Sequence, residues 1–284
     1  MMNIFLYGNE VKDKWLEEIK EEMANKNITP LLVIVQVGDN KDSNRYINNK
    51  IKSAEKIKMA TKLIKLDETI RQEELISIIH ELNEDKSVNG IIVQLPLPKH
   101  IDELEVNKAI SPIKDVDGFT DVNVGRTLLG LDSFVSCTPL GIMNIFDYYN
   151  IDLVGKDVVI IGRSNIVGKP MSSLLINKGA TITVCNSKTK NVKDKTKSAD
   201  IVIVATGQTK FFNSDYFSDG QVLIDVGVNF DEHGKQCGDI DTETVMTNLN
   251  SIKLSPSPKG CGQTTVSALL YNTLKAFKLQ NGLS

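Results

Sequence analysis

Histidine and paired cysteine are scarce in this chain, and their scarcity narrows the chemistry it can do. Only His80, His100 and His233 occur, none in a motif-like context, so an imidazole mechanism has few candidates. Cys137, Cys185, Cys237 and Cys261 lie far apart, with no Cys-x-x-Cys pair and no histidine at ligand spacing. That argues against structural zinc and against a disulfide framework. No apolar run approaches the roughly 18 residues that span a bilayer, and residues 1–20 lack a charged-then-apolar signal pattern, so a cytoplasmic protein with no membrane partner is expected. Basic excess is missing too: a formal net charge of -3 argues against nucleic acid as the main ligand. With 284 residues, 41% of them hydrophobic and 24% charged, the chain is long enough for two ordinary globular domains.

The apolar runs read as buried parallel strands alternating with helices. Leu31–Val37 is such a run, and Ser43 after the turn-prone Gly38-Asp39-Asn40 is positioned to cap the next helix. On that helix Tyr46 and Lys50, four residues apart, share one face near the carboxyl end of the strand, where α/β folds put ligands. Taken alone, a tyrosine and a lysine there fit a solvated surface better than a site. Ala60–Leu66 reads as a partly alternating strand, 71–83 as a helix, and 88–98 as a strand that stops at Pro96 and Pro98. Gln94 at that rim can satisfy strand-end backbone groups or hydrogen-bond Lys50. The loop 111–119 brings Asp115, Asp117 and Gly118 together, as a solvated turn or as an acceptor for an amino-pyrimidine edge.

A second αβ series follows a helix from Thr138-Pro139 to about Asn150, with Thr138 as cap and Pro139 at the first helical position. The strand Lys156–Gly162 runs into Gly162-Arg163-Ser164-Asn165-Ile166-Val167-Gly168-Lys169-Pro170, which opens a helix. Strand, glycine turn and helix N-terminus together aim N–H groups at an anion, most simply a dinucleotide pyrophosphate. Ser164 replaces the middle glycine of G-x-G-x-x-G, and Pro170 after Lys169 rules out a Walker A loop. After the next strand, Ser187 and Lys188 stand where an acidic residue would select NAD; with Arg163 and Ser164 they favour the 2'-phosphate of NADP. Two more buried strands end in small residues, at Ala205-Thr206-Gly207 and at Gly227, and Leu254–Thr265 reads as a Pro- and Gly-punctuated turn before a last helix to about Leu279.

Val37-Gly38-Asp39 with Ser43, Tyr46 and Lys50; Gln94-Leu95-Pro96-Leu97-Pro98; Lys114-Asp115-Val116-Asp117-Gly118; Cys137-Thr138-Pro139; Gly162-Arg163-Ser164 with Ile166-Val167-Gly168; and Gly238-Asp239-Ile240-Asp241 occur in the order and spacing of one family. Together they resemble the bifunctional methylenetetrahydrofolate dehydrogenase/cyclohydrolases. The resemblance implies an α/β fold of two domains. Residues 1–138 and 266–284 are expected to form a folate-binding catalytic domain, and 139–265 a Rossmann-type doubly wound NADP-binding domain, with the C-terminal helix returning to the first. It also implies a cytoplasmic homodimer that oxidises 5,10-methylenetetrahydrofolate with NADP and hydrolyses the product to 10-formyltetrahydrofolate. Lys50 is then the central catalytic residue, with Tyr46, Gln94 and Asp117 beside it. Ser43, Tyr46, Asp117, Pro258, Gly260 and Gly262 would contact the folate; Gly162, Arg163, Ser164, Ile166, Gly168, Ser187, Thr206, Gly207 and Val228 would contact NADP.

Short-chain dehydrogenases share the Tyr-x-x-x-Lys spacing, but their glycine loop precedes the pair, whereas Gly162 lies far downstream of Lys50. The chain departs from the family at Pro258-Lys259-Gly260-Cys261-Gly262-Gln263-Thr264-Thr265, where Pro-Gly-Gly-Val-Gly-Pro-x-Thr is usual. That departure leaves two alternatives in view, an NAD-dependent dehydrogenase without the hydrolytic step and a folate-binding protein without turnover.

Overall fold

The computed structural model describes residues 2–283. They form two compact units. The small-sheet unit comprises Lys14–Thr127, Leu131–Cys137 and the segment from Val266; the large-sheet unit comprises the segment up to Asp13, Leu128–Gly130 and Thr138–Thr265. No helix among the described residues is long and apolar enough to cross a membrane.

After β1 (Ile4–Phe5) and α1 (Gly8–Lys26), the small-sheet unit runs β2 (Leu31–Val37), α2 (Lys41–Lys56), β3 (Ala60–Leu66), α3 (Gln72–Glu84) and β4 (Gly90–Val93). The strands pair in parallel in the order β3-β2-β4, which places the carboxyl ends of β2 and β4 on one rim. Val33, Val35, Val37, Ile91 and Val93 bury one face of this sheet against Leu75, Ile79 and Leu82 of α3. Gly90 opens β4 because a Cβ there would lie 2.8 Å from a Val116 methyl. With no side chain in the way, Ile91 N–H donates to Lys114 O at 2.8 Å, and the loop bearing Asp117 is drawn against the strand. Short helices α4 (Glu103–Ala109) and α5 (Asp121–Leu128) flank that loop in sequence.

The large-sheet unit follows with α6 (Cys137–Tyr148), β5 (Asp157–Ile161), α7 (Gly168–Asn177), β6 (Thr181–Cys185), α8 (Val192–Lys197), β7 (Ile201–Val204), β8 (Val222–Asp225), the hairpin β9 (Asn229–Phe230) and β10 (Gln236–Cys237), α9 (Thr242–Asn248) and β11 (Lys253–Ser255). A final helix, α10 (Thr264–Gln280), begins here and continues in the small-sheet unit. Six parallel strands stand in the order β1-β11-β8-β7-β5-β6. Their side chains alternate between two cores. Val158, Ile160, Ile201, Ile203 and Ile224 pack with Ile142, Phe146, Met171 and Leu175, while Val159, Ile161, Val202, Val204 and Leu223 pack with Val245 and Ile252. Both faces are therefore covered, as an all-parallel sheet requires.

Three local expectations change. The first residues were expected in the folate-binding domain, but β1 extends the large sheet: Ile4 N–H donates to Ile252 O and Leu6 N–H to Leu254 O, both at 2.8 Å. A two-residue strand carries no periodicity from which to read it. Leu254 and Ser255, expected in a turn, end the short strand β11. Helix α6 starts at Cys137, so Thr138 sits inside the first turn, where its hydroxyl meets Thr265 Oγ1 at 3.4 Å, instead of capping the helix.

Candidate active site

Helix α2 is capped by Asn40, whose Oδ1 accepts the Ser43 backbone N–H at 3.1 Å, and not by Ser43 as the sequence suggested. Asparagine and serine are comparable caps, and the helix begins at Lys41, which decides between them. Ser43 Oγ is left free to donate to Leu95 O at 3.3 Å. Buried Ile47 anchors the helix, and Tyr46 beside it stays 49% exposed. Lys50 Nζ donates to Gln94 Oε1 at 2.9 Å, while Gln94 Nε2 donates to Leu95 O at 2.8 Å. The side-chain amide is thus held by its NH2 end and presents its oxygen to the amine.

Asp115 and Asp117, close in sequence, have different partners. Asp115 is buried and accepts from Gly118 N–H at 2.9 Å, Thr120 N–H at 2.8 Å and Asn123 Nδ2 at 2.9 Å, so it clamps its own loop. Gly118 makes the turn at φ +74°, where a Cβ would lie 2.5 Å from Phe134 O. Burial pushes the Asp117 carboxyl above its usual range, while the charge of Lys50 and a hydrogen bond from Cys137 pull it back. Burial, reinforced by Asp117, pushes the Cys137 thiol well above its ordinary value, so it remains an S–H donor. Asn272 on α10 donates to Val116 O at 2.8 Å and Val135 O at 3.0 Å, tying together the backbone that precedes Asp117 and Cys137. Neither Cys137 nor Asn272 was singled out as a site residue from sequence.

In the large-sheet unit β6 and β7 flank β5 on opposite sides, so the strand order reverses there and the loops after β5 and β7 leave the same end. Such a reversal opens a crevice for a ligand. Gly162 turns at φ +130°, and a Cβ on it would lie 2.3 Å from Ala205 O; one on Gly168 would lie 2.3 Å from Gly162 O. The strand, turn and α7 therefore close together only with glycine at both positions. Ser164 Oγ accepts Val167 N–H at 3.2 Å, ordering the turn, and Arg163, Ser164 and Ile166 are exposed along it. Ser187 and Lys188 are exposed just after β6, and Thr206, Gly207 and Val228 follow β7 and β8. A glycine cradle at a helix N-terminus, bordered by Arg163 and Lys188 and without a carboxylate after β6, fits a dinucleotide carrying an extra phosphate.

Pro258, Gly260 and Gly262 also lie in the large-sheet unit, in the loop before α10. Lys259 adopts φ +82°, a conformation suited to glycine. Its carbonyl accepts Gly8 N–H at 2.8 Å, and a Cβ on Gly8 would lie 2.0 Å from Gly260 O, so the N-terminal segment packs directly on this loop. Gln263 N–H donates to Gly260 O at 3.0 Å, a bond that proline could not make. Buried Cys261 donates through Sγ to Asp225 O at 3.3 Å.

A small parallel sheet that presents an amine, an amide and a carboxylate, and a doubly wound sheet with a glycine turn at its reversal point, define a two-domain α/β enzyme that uses a dinucleotide. Residues 6–117 match the tetrahydrofolate dehydrogenase/cyclohydrolase catalytic domain, and 136–281 match the NAD(P)-binding domain of the same family. The chain belongs to the tetrahydrofolate dehydrogenase/cyclohydrolase family. It is 47% identical over 281 residues to the bifunctional protein FolD of Bacillus cytotoxicus, with 98% of each chain covered. The crystal structure of the bifunctional FolD methylenetetrahydrofolate dehydrogenase/cyclohydrolase from Campylobacter jejuni superposes with a TM-score of 0.94 at 44% identity, covering 98% of this chain and 99% of that one. The Trypanosoma brucei enzyme, solved with NADP cofactor and an inhibitor, gives 0.91 at 32% identity with 98% of each chain covered.

Proposed function

We propose that this chain oxidises 5,10-methylenetetrahydrofolate with NADP to the 5,10-methenyl form and hydrolyses that to 10-formyltetrahydrofolate. The hydrogen bond from Lys50 to Gln94, beside Asp117, carries the reading, since oxidation alone gives such an amine little to do. NADP, when bound, supplies the hydride acceptor. The Gly162–Gly168 turn, Arg163, Ser164, Ile166, Ser187, Thr206, Gly207 and Val228 bind and orient it, and alignment is most of what hydride transfer asks of a protein. Hydrolysis asks for proton handling. Water adds to the electron-poor methenyl carbon and sheds a proton, then the bond from that carbon to N5 breaks and N5 takes a proton. Lys50 is the group for those transfers, oriented by Gln94. Asp117 accepts hydrogen bonds from the amino-pyrimidine edge of the pterin, Tyr46 packs on the folate with Ser43, and Pro258, Gly260 and Gly262 line the folate side.

The neutral and basic residues after β6 support NADP over NAD, and the intact Lys50–Gln94 pair supports retention of the hydrolytic step. The family resemblance supports a cytoplasmic homodimer, which light scattering tests. Steady-state NADPH formation from methylenetetrahydrofolate tests the whole reading. A protein that binds the folate without producing NADPH overturns it.

A further inference from the structure

The Gly238-Asp239-Ile240-Asp241 motif has no part in the chemistry above, yet it holds the most heavily bonded carboxylate of the large-sheet unit. Asp239 is 0% exposed. Its Oδ2 accepts Thr206 N–H at 2.6 Å, Thr206 Oγ1 at 3.1 Å and Gly207 N–H at 3.1 Å. Its Oδ1 accepts Gln208 N–H at 2.8 Å and Asn229 Nδ2 at 2.8 Å. Its donors are backbone N–H groups and the Thr206 and Asn229 side chains.

Asp239 is itself held by a second buried carboxylate. Asp225, 1% exposed at the end of β8, accepts Asp239 N–H at 2.9 Å, Ile240 N–H at 3.1 Å and Gly227 N–H at 3.2 Å. Glycine is required twice for this interlock. A Cβ on Gly227 would lie 2.3 Å from Asp239 Oδ1, and one on Gly238 would lie 1.8 Å from Asp225 Oδ2. The segments after β7 and β8 are thereby fastened to one carboxylate, and they carry Thr206, Gly207 and Val228. Three consecutive N–H groups turned inward onto an acceptor fix the backbone of 206–208 far more tightly than a solvated turn would.

We infer that Asp239 is a positioning residue for the dinucleotide, setting the loops after β7 and β8 in their ligand-receiving form through Thr206, Gly207, Gln208 and Asn229. This rests on the assignment of NADP to the large-sheet unit. In Asp239→Asn one acceptor oxygen becomes an NH2 group facing N–H donors, so the loops lose both the charge and the geometry. The isolated NADP affinity falls about tenfold or more, the scale of losing one or two hydrogen bonds to a charged group. The cyclohydrolase step needs no hydride acceptor and serves as a check on folding.

The experiment titrates NADP into the full-length protein well below its unfolding temperature and follows methenyltetrahydrofolate hydrolysis in parallel. Expected for Asp239→Asn are a Kd for NADP raised about tenfold, a KM for NADP raised in step, and hydrolysis within about twofold of the unaltered protein. A folded Asp239→Asn protein that binds NADP within about twofold of normal, with only its unfolding temperature lowered, overturns the inference in favour of a purely structural carboxylate. Should that variant fail to fold, Asn229→Ala decides. It removes one donor, and a threefold or greater loss of NADP affinity supports the inference while an unchanged affinity overturns it. Failure of the unaltered protein to bind NADP at all instead overturns the cofactor assignment.

Discussion

The two units build their candidate sites from different material. In the small-sheet unit the proposed chemistry rests on side chains: Lys50, which donates to Gln94, and Asp117, which accepts from Cys137. In the large-sheet unit the proposed dinucleotide binding rests on backbone, the Gly162–Gly168 turn and the 206–208 segment, where Ser164 and Asp239 accept main-chain N–H groups. The difference follows from the tasks. Hydrolysis needs groups that move protons, which a peptide bond cannot do, whereas a pyrophosphate is met well by N–H groups and a helix terminus. Substitutions in the first unit should therefore remove a reaction with little harm to the fold. Those in the second that break a glycine turn should harm fold and affinity together.

The sharpest separation is expected from Lys50→Met. Cyclohydrolase activity falls by at least about a thousandfold, the upper part of the range for positioned proton transfer, while NADP titration and thermal unfolding stay near normal. Undiminished hydrolysis of methenyltetrahydrofolate would break the comparison at its strongest point. Gly162→Ala probes the other side. Its new Cβ would be 2.3 Å from Ala205 O at φ +130°, so stability falls by ~3 kcal/mol in denaturant titrations and NADP binding is lost with it.

A pH effect comes next. Burial pushes the Asp225 carboxyl up to about 7, against the pull of its backbone N–H donors, while an unfolded chain has it near about 3.9. A folded value above the unfolded one means that the contribution to stability is full below about pH 4 and is lost as pH rises through about 7, on the order of 2–4 kcal/mol. Asp225→Asn, compared with the unaltered protein by urea unfolding at several pH values across that window, should lack this slope. An identical slope in both would remove Asp225 from the account. The smallest effect is expected at Lys259. Lys259→Gly relieves the backbone at φ +82° and raises stability by about 1 kcal/mol, read from the urea midpoint.

Some elements were legible in full and others not at all, for identifiable reasons. Leu31–Val37 and the run ending at Ile161 are strands because an uninterrupted apolar stretch bounded by turn residues has one comfortable home, a parallel sheet covered on both faces. The Gly162 turn was legible because glycine spacing reports backbone geometry directly. β1 and β11 were missed because two or three residues have no period. Ser43 was given the cap that belongs to Asn40, since both residue types cap and only the position of the helix start distinguishes them. Gln94 was left with two readings, satisfying strand-end backbone or bonding Lys50, and it does both, whereas the hydrogen bond of Cys137 to Asp117 had no signal beyond its place in a motif.

What this sequence determined by itself was local and periodic: which runs are strands, where glycine is indispensable, and which residue types stand near strand ends. The partnership of distant polar groups was decided only in three dimensions. Asp239 and Thr206, Asp225 and Ile240, Asn272 and Val116 lie on different elements of the chain, and no composition or spacing tells which buried polar group will meet which partner. Those pairings are set by strand order and register. A buried polar atom must find a partner wherever the packed sheet leaves one, and the packing exists only after the chain has folded.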